Sequence, residues 1–260
     1  SLRQKSTAST HVPNRIAALV RLEIIMYSLK KHVALVALIA FGLSISSGAM
    51  GVGMVPEVPV LLVEESLGEA TINVKNTDDQ PALLYTVIEN TPEDEESLLV
   101  LSPPVARVEA GGTQQVRFIL QSSKPLETER LKRVIFEGIL PKTSESDAQI
   151  VLGVRQNIPV ILRPANLPVE VEPWKRLNWS LHGAQLKVKN PSPYVVRLSK
   201  SVSVMPSGVM LDLPRTYVLP GEELVLAGAA LLASSTTVRL SPATTYGFAV
   251  GTYDAPLVFK

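Results

Sequence analysis

From residue 59 onward the chain alternates short apolar runs with clusters of turn-forming residues. The stretches 59–63, 70–74, 82–88, 98–101, 115–120, 133–139 and 149–162 are apolar at every second position or continuously over a few positions, the signatures of half-buried and fully buried strands. Between them stand Asn76-Thr77-Asp78-Asp79, the segment 90–96, Ala110-Gly111-Gly112 and the segment 142–147, each rich in residues that favour turns. No long stretch of helical periodicity competes. Arg163-Pro164-Ala165-Asn166-Leu167-Pro168 then breaks the pattern with prolines, which cannot donate to a sheet ladder. A second strand series follows at 177–181, 184–189, 194–204, 209–213, 216–219, 223–232, 237–240 and 245–249. The pattern predicts an all-β chain of two tandem domains, 50–163 and 169–260, joined by a linker at 164–168. No sequence repeat, low-complexity tract or heptad pattern is evident.

The N-terminal stretch reads differently. Met26-Tyr27-Ser28-Leu29-Lys30-Lys31-His32 gives a basic start, 33–43 is an apolar core, and Ser46-Ser47-Gly48-Ala49 supplies small residues suited to cleavage after Ala49. That order predicts a secretory signal peptide over 26–49. Its apolar run is too short for a bilayer span, which needs roughly 20 residues, so no membrane anchor is expected after its removal. Residues 1–25 begin with Ser and precede a complete signal, so they read as an upstream extension outside the fold. What remains is the right length for two β-sandwiches of about 100 residues each.

Composition narrows the chemistry. A formal net charge of +1 gives no global field to draw nucleic acid or anionic lipid, so charged recognition must be local. There is no cysteine, which excludes disulfides, thiolate metal sites and a cysteine nucleophile. Of the three histidines, His11 and His32 precede the proposed cleavage point, and His182 alone remains in the mature part. No G-x-S-x-G, H-E-x-x-H or phosphate-cradling glycine loop is present. Neither an enzyme nor a cofactor is expected.

Several blocks, in order, resemble the PapD-like periplasmic pilus chaperones over nearly the whole mature chain. The block from Leu101 to Arg117, with Pro103-Pro104, Arg107, Gly111 and Gln114, is similar to the family's PP-x-x-R-x-x-P-G-x-x-Q-x-x-R stretch, Ala110 replacing the usual proline. Glu129-Arg130-Leu131-Lys132-Arg133-Val134-Ile135 leads to Ile139-Leu140-Pro141, where the family has I-P-P. Leu186-Lys187-Val188-Lys189-Asn190-Pro191-Ser192-Pro193-Tyr194 is similar to L-x-V-x-N-P-T-P-Y, Leu219-Pro220-Gly221 falls at L-P-x-G, and 246–254 at a tyrosine-containing ending. The resemblance implies two immunoglobulin-like sandwiches in the periplasm. It further implies a chaperone that binds pilus or fimbrial subunits and delivers them to an outer-membrane usher; no nucleic acid is expected as partner, given the net charge of +1. Such subunits lack a final strand, and their chaperone lends one by β-augmentation.

The resemblance places the lending strand at the end of the first domain, 149–162. Ile150, Leu152 and Val154 share one face there because strand side chains alternate. They are the expected donors, and the same pattern also suits ordinary core residues of the chaperone. The familiar Arg/Lys clamp on a subunit's terminal carboxylate does not carry over: Val60 stands at the Arg position and Pro159 at the Lys position. Arg155-Gln156-Asn157-Ile158-Pro159-Val160-Ile161 is closer to the R-Y-S-V-P-L-F of the archaic or alternate usher branch, and Lys132-Arg133-Val134 to its Y-R-V strand. Arg155 and Arg133 are therefore the candidate anchors, with solvated or interdomain positions as the alternative. Arg163 and Asp254 are expected to form an interdomain ion pair. Arg107 and Arg117 read as fold residues on solvated edges, and Glu93-Asp94-Glu95-Glu96 as a solvated hairpin tip. The rival reading is a secreted immunoglobulin-like subunit or adhesin of the pilus itself.

Overall fold

Alternation of apolar and polar side chains builds two sandwiches in the computed structural model, which describes residues 53–140, 155–183, 185–226 and 234–259. The first comprises β1 (Met54–Pro56), β2 (Leu61–Glu64), β3 (Glu69–Asn76), β4 (Ala82–Asn90), β5 (Leu99–Ser102), β6 (Val105–Val108), β7 (Thr113–Leu120), β8 (Arg130–Ile139) and β9 (Arg155–Arg163). One sheet runs β1-β3-β7-β5 and the other β2-β9-β8-β4-β6. Ile72 and Val74 of β3, and Val116 and Phe118 of β7, point inward at every second position. There they meet Leu84, Val134, Phe136, Val160 and Leu162 from the facing sheet. Burying each such side chain contributes roughly 1.5–3 kcal/mol.

A 3-10 turn, Pro173–Arg176, precedes the second sandwich. Its strands are β10 (Asn178–His182), β11 (Gln185–Lys189), β12 (Val196–Leu198), β13 (Ser201–Met205), β14 (Val209–Asp212), β15 (Tyr217–Val218), β16 (Glu223–Leu226), β17 (Thr237–Leu240), β18 (Pro242–Ala243) and β19 (Tyr253–Phe259). The order is β14-β13-β17-β19-β10-β11-β16 in one sheet and β15-β12-β18 in the other. Trp179, Leu181, Leu186, Val188, Val202, Val204, Val238 and Leu240 fill a separate core.

Two sequence-based expectations change here. The run 194–204 is not one strand: β12 pairs with β15 and β18, and β13 pairs with β14 and β17. The chain changes sheets because Leu198 N–H donates to the Thr216 carbonyl at 3.0 Å and Ser199 N–H to that of Ser241 at 2.8 Å. The stretch 245–249 is a turn, not a strand. Gly247 adopts φ +88° there, and a Cβ would stand 2.5 Å from Val60 Cγ2, so only glycine seats this turn against the first sandwich.

Both sandwiches carry the same buried asparagine device. Asn76 ends β3 and Asn190 follows β11, each 0% exposed. Asn76 Nδ2 donates to the carbonyls of Gln80 at 3.0 Å and Val108 at 3.1 Å, and its Oδ1 accepts from Asp78 N–H at 3.0 Å. Asn190 Nδ2 donates to Tyr194 and Val218 carbonyls at 2.8 and 3.2 Å, and its Oδ1 accepts from Ser192 N–H at 3.1 Å. In each case one amide closes an Asx turn and ties it to the neighbouring hairpin.

Candidate functional site

The lead comes from an unfinished edge. Along β9 the inner side of the sheet is formed by Ile158, Val160 and Leu162, while Ile161 faces outward to Val60, Leu131 and Val195. β8 pairs with β9 along its whole length, Glu137 opposite Arg155 through Arg130 opposite Leu162. β2 covers the other side only from Val160 to Arg163. From Arg155 to Pro159, therefore, β9 has one edge with no strand partner among the described residues. An exposed row of N–H and C=O groups is a template for another chain.

This edge ends at a cleft between the sandwiches. A cavity of about 420 Å³ is lined by Arg133, Asn157 and Pro159 from the first sandwich and by Arg197, Thr216 and Val250 among residues of the second. Arg133 lies opposite Pro159 in the β8/β9 register. The cation missing from the Pro159 position thus reappears one strand over. Arg133 is held by Asn157: its Nε donates to Oδ1, and its Nη2 to the backbone carbonyl at 2.8 Å. Arg197, on β12, makes no hydrogen bond or ion pair among the described residues, and its Nη1 is buried without a partner. No described lining residue is acidic. Burial lowers the pKa of both guanidinium groups, and for Arg197 the like charge of Arg133 adds to it. Glu89, opposite Arg133 in the β4/β8 register, acts on it through its charge but does not line the cavity. Arginines stay protonated under such shifts, so the cleft presents two cations and no acid in its described lining.

Beside the cleft lies a second set of charges in which each cation has a carboxylate within ion-pair distance, although Glu129 Oε1 and Arg163 Nε and Nη2 are buried without a hydrogen bond. Glu129, 2% exposed, accepts from Val195 N–H at 2.8 Å, and its own N–H donates to the Pro193 carbonyl at 2.9 Å. It faces Arg163 Nε at 3.9 Å, and Arg163 also meets Glu64 at 3.6 Å. Burial outweighs the Val195 bond and the Arg163 charge and pushes the Glu129 carboxyl up to about 7. Glu93 accepts from Tyr217 OH at 2.9 Å and pairs with Arg215 at 3.1 Å, across the domain boundary. Asp94 receives Arg130, and Lys132 Nζ reaches its carboxylate at 3.0 Å and its carbonyl at 2.7 Å. Burial alone would raise the Asp94 pKa, and these hydrogen bonds hold it below the usual range.

These contacts correct two expectations. The acidic run is no solvated tip; Asp94 neutralises Lys132, which is 0% exposed, and Glu93 latches the sandwiches. The expected Arg163–Asp254 pair does not form. Arg163 is enclosed by Glu64 and Glu129, while Asp254 stands opposite Arg239 in the β17/β19 register and takes its guanidinium in bidentate fashion at 2.7 and 2.8 Å. Arg163 therefore sits at the domain boundary, and Asp254 serves the surface of the second sandwich.

The remaining sequence candidates divide. Ile150, Leu152 and Val154 lie outside the described residues. Arg155 pairs with Glu137 at 3.2 Å, its side chain 57% exposed. The register sets it four residues from Pro159, about 13 Å along the strand at ~3.3 Å per residue, so Arg133 and Arg155 do not converge. Val60 is buried against Leu131, Ile161 and Val195. Arg107 and Arg117 make exposed pairs with Glu109 and Glu69. Sequence reasoning missed Arg197, Asn157 and Glu129. The available signal for Arg197 was a lone arginine between Val196 and Leu198, both buried.

Comparison with known proteins agrees with this architecture. The family model for the PapD N-terminal domain, described as a pili and flagellar-assembly chaperone, matches residues 53–168. The PapD C-terminal domain of pili assembly chaperones matches residues 172–252. A relative in Escherichia coli (strain K12), "Uncharacterized fimbrial chaperone YhcA", is 46% identical over 213 residues, covering 82% of this chain and 94% of that protein. Chaperone protein MrkB of Klebsiella pneumoniae is 29% identical over 143 residues, 51% of this chain and 61% of that protein. Among solved structures, that of Salmonella enterica SafA pilin in complex with the SafB chaperone superimposes with a TM-score of 0.66 at 20% identity, covering 81% of this chain and 99% of that one.

Proposed function

Matched in both sandwiches, the chain belongs to the PapD-like pili-assembly chaperones, and we propose that it captures pilus subunits on the open edge of β9, anchoring them at Arg133. Its role as a fimbrial chaperone follows from that membership. Both family models describe the chaperone and neither a subunit, so the reading as a pilus subunit or adhesin is set aside.

The observation that carries the mechanism is the unpartnered edge from Arg155 to Pro159, leading straight into the cationic cleft. A subunit strand laid along it satisfies its N–H and C=O groups on β9, and every second residue of the lending segment enters the subunit's open core. Ile150, Leu152 and Val154, directly before β9, supply those side chains. Arg133, oriented by Asn157, receives the subunit's terminal carboxylate through a charge-assisted hydrogen bond, which fixes the register of pairing. Arg155, already paired and some distance up the strand, is not the anchor. The family is periplasmic, and among the described residues no helix is long and apolar enough to cross a membrane. The segment 26–49 acts as the export signal, and the subunit passes on to an outer-membrane usher.

The test is Leu152→Asp. Placing a charge in the subunit's core removes the aliphatic contribution of roughly 1.5–3 kcal/mol and adds a desolvation penalty. Recovery of a co-expressed pilus subunit from the periplasm is expected to fall at least about tenfold, while the chaperone's circular dichroism stays that of the parent. Unchanged recovery with a folded variant would overturn the donor assignment.

A further inference from the structure

We infer that the subunit's carboxylate is held from both sandwiches at once, Arg133 of the first and Arg197 of the second acting as two arms of one anion site. This deepens the proposed capture mechanism and rests on it. Its distinctive claim is that the second sandwich takes part in binding directly.

Both guanidinium groups line one cavity, and no acidic residue stands in its described wall. Elsewhere at the domain boundary, Arg163 and Arg215 face carboxylates. Those two also bury nitrogens that make no hydrogen bond, but each has a carboxylate within ion-pair distance, whereas Arg197, with Nη1 buried and unbonded, has none among the described residues. A guanidinium loses hydration on burial and is compensated by hydrogen bonds, most strongly by charge-assisted ones to an anion. Arg133 has Nε and Nη2 engaged by Asn157, which leaves the remaining donors of its fork for a ligand. A carboxylate has two oxygens and about four acceptor sites, enough for one oxygen to face each arginine. Bridging in this way relieves the repulsion between the two cations, a gain that neither arginine offers alone.

The local fold explains how Arg197 gets there. The chain switches sheets between Leu198 and Ser201, so β12 is only three residues long. Val196 and Leu198 anchor it in the core, and Arg197 between them points the other way, towards the cleft. The outward position beside buried neighbours gives the arginine a fixed base. The ligand class that fits is an extended peptide end with a free carboxylate, arriving along β9 from Arg155 towards Pro159.

The experiment uses a synthetic peptide of alternating valine and threonine, made once with a free C-terminal carboxylate and once as the C-terminal amide. Both are titrated calorimetrically onto the full chain and onto its Arg133→Gln, Arg197→Gln and Arg197→Lys variants, each first checked for native circular dichroism. The parent is expected to favour the free acid by at least about tenfold. Arg133→Gln and Arg197→Gln each abolish most of that preference, and Arg197→Lys, which keeps the charge without the fork, restores part of it. If Arg197→Gln keeps the full preference while Arg133→Gln loses it, the second arm is refuted and the Arg133 anchor stands. If the parent itself binds acid and amide equally, or binds neither, the anchor reading falls with it. Should Arg197→Gln fail to fold, Arg197→Lys decides: an undiminished preference there counts against a guanidinium fork.

Discussion

Two groups of charges flank the boundary between the sandwiches, and they differ in whether the chain supplies both signs. In one group Glu129 meets Arg163, Glu93 meets Arg215 and Tyr217, and Asp94 meets Arg130 and Lys132. In the other, Arg133 and Arg197 face a shared cavity whose described lining holds no acid. A buried charge without a partner destabilises by several kcal/mol, so charges that hold a fold together are matched within it. The first group is matched and sets how the sandwiches meet. The second has no acid in its described lining, and in the proposed capture mechanism its counter-charge arrives on the subunit.

The hardest way to break the contrast is to make the matched group resemble the unmatched one. Asp94→Ala strands Lys132, fully buried, with only the backbone carbonyl of residue 94 to receive its ammonium. Breaking a buried pair from one side costs about 3–5 kcal/mol, and a urea titration should show a loss of that size. A loss below about 1 kcal/mol would mean that the acidic run is solvated after all.

A smaller effect tests the seam at Glu129. Its carboxyl is raised from an ordinary 4.5 to about 7 in the folded chain. Between those values the native state binds more protons than the unfolded state, so stability is greatest below pH 4.5 from this group and is lost as pH rises through 7. Between pH 5 and 8 the parent should lose on the order of 1–3 kcal/mol that Glu129→Gln does not lose, since glutamine keeps an acceptor for Val195 N–H and never ionises. Denaturation curves whose difference is independent of pH would contradict the assignment.

Much of this fold was legible because alternation is local. Val116 and Phe118, or Trp179 and Leu181, announce their strands without reference to any partner. Both sandwiches follow from such runs. The asparagine device was not legible as a repeat, although Val74-Lys75-Asn76 and Val188-Lys189-Asn190 share it, because so short a match becomes meaningful only once the hairpins it ties are in place. β19 escaped notice because Pro256 stands inside it, and β6 because it follows two prolines.

Of the candidate site, Arg133 was singled out through the resemblance of its strand, and the structure adds its register opposite Pro159. Arg197 was hidden by the sheet switch, which depends on hydrogen bonds to Thr216 and Ser241 far along the chain. The partners of Asp94 were hidden in the same way, since Arg130 and Lys132 lie on a strand that only the folded sheet brings alongside. Sequence reasoning assigned those carboxylates to solvent because that is where isolated acidic runs usually are.

The central claim is that the open edge of β9 receives the subunit strand, and amide hydrogen exchange of the full chain, alone and with a co-expressed pilus subunit bound, tests it most directly. The account predicts that N–H groups of residues 155–158 facing away from β8 exchange freely in the chain alone and become protected by at least about tenfold in the complex, while those of 160–163, already paired with β2, change little. A complex that leaves residues 155–158 unprotected would contradict it.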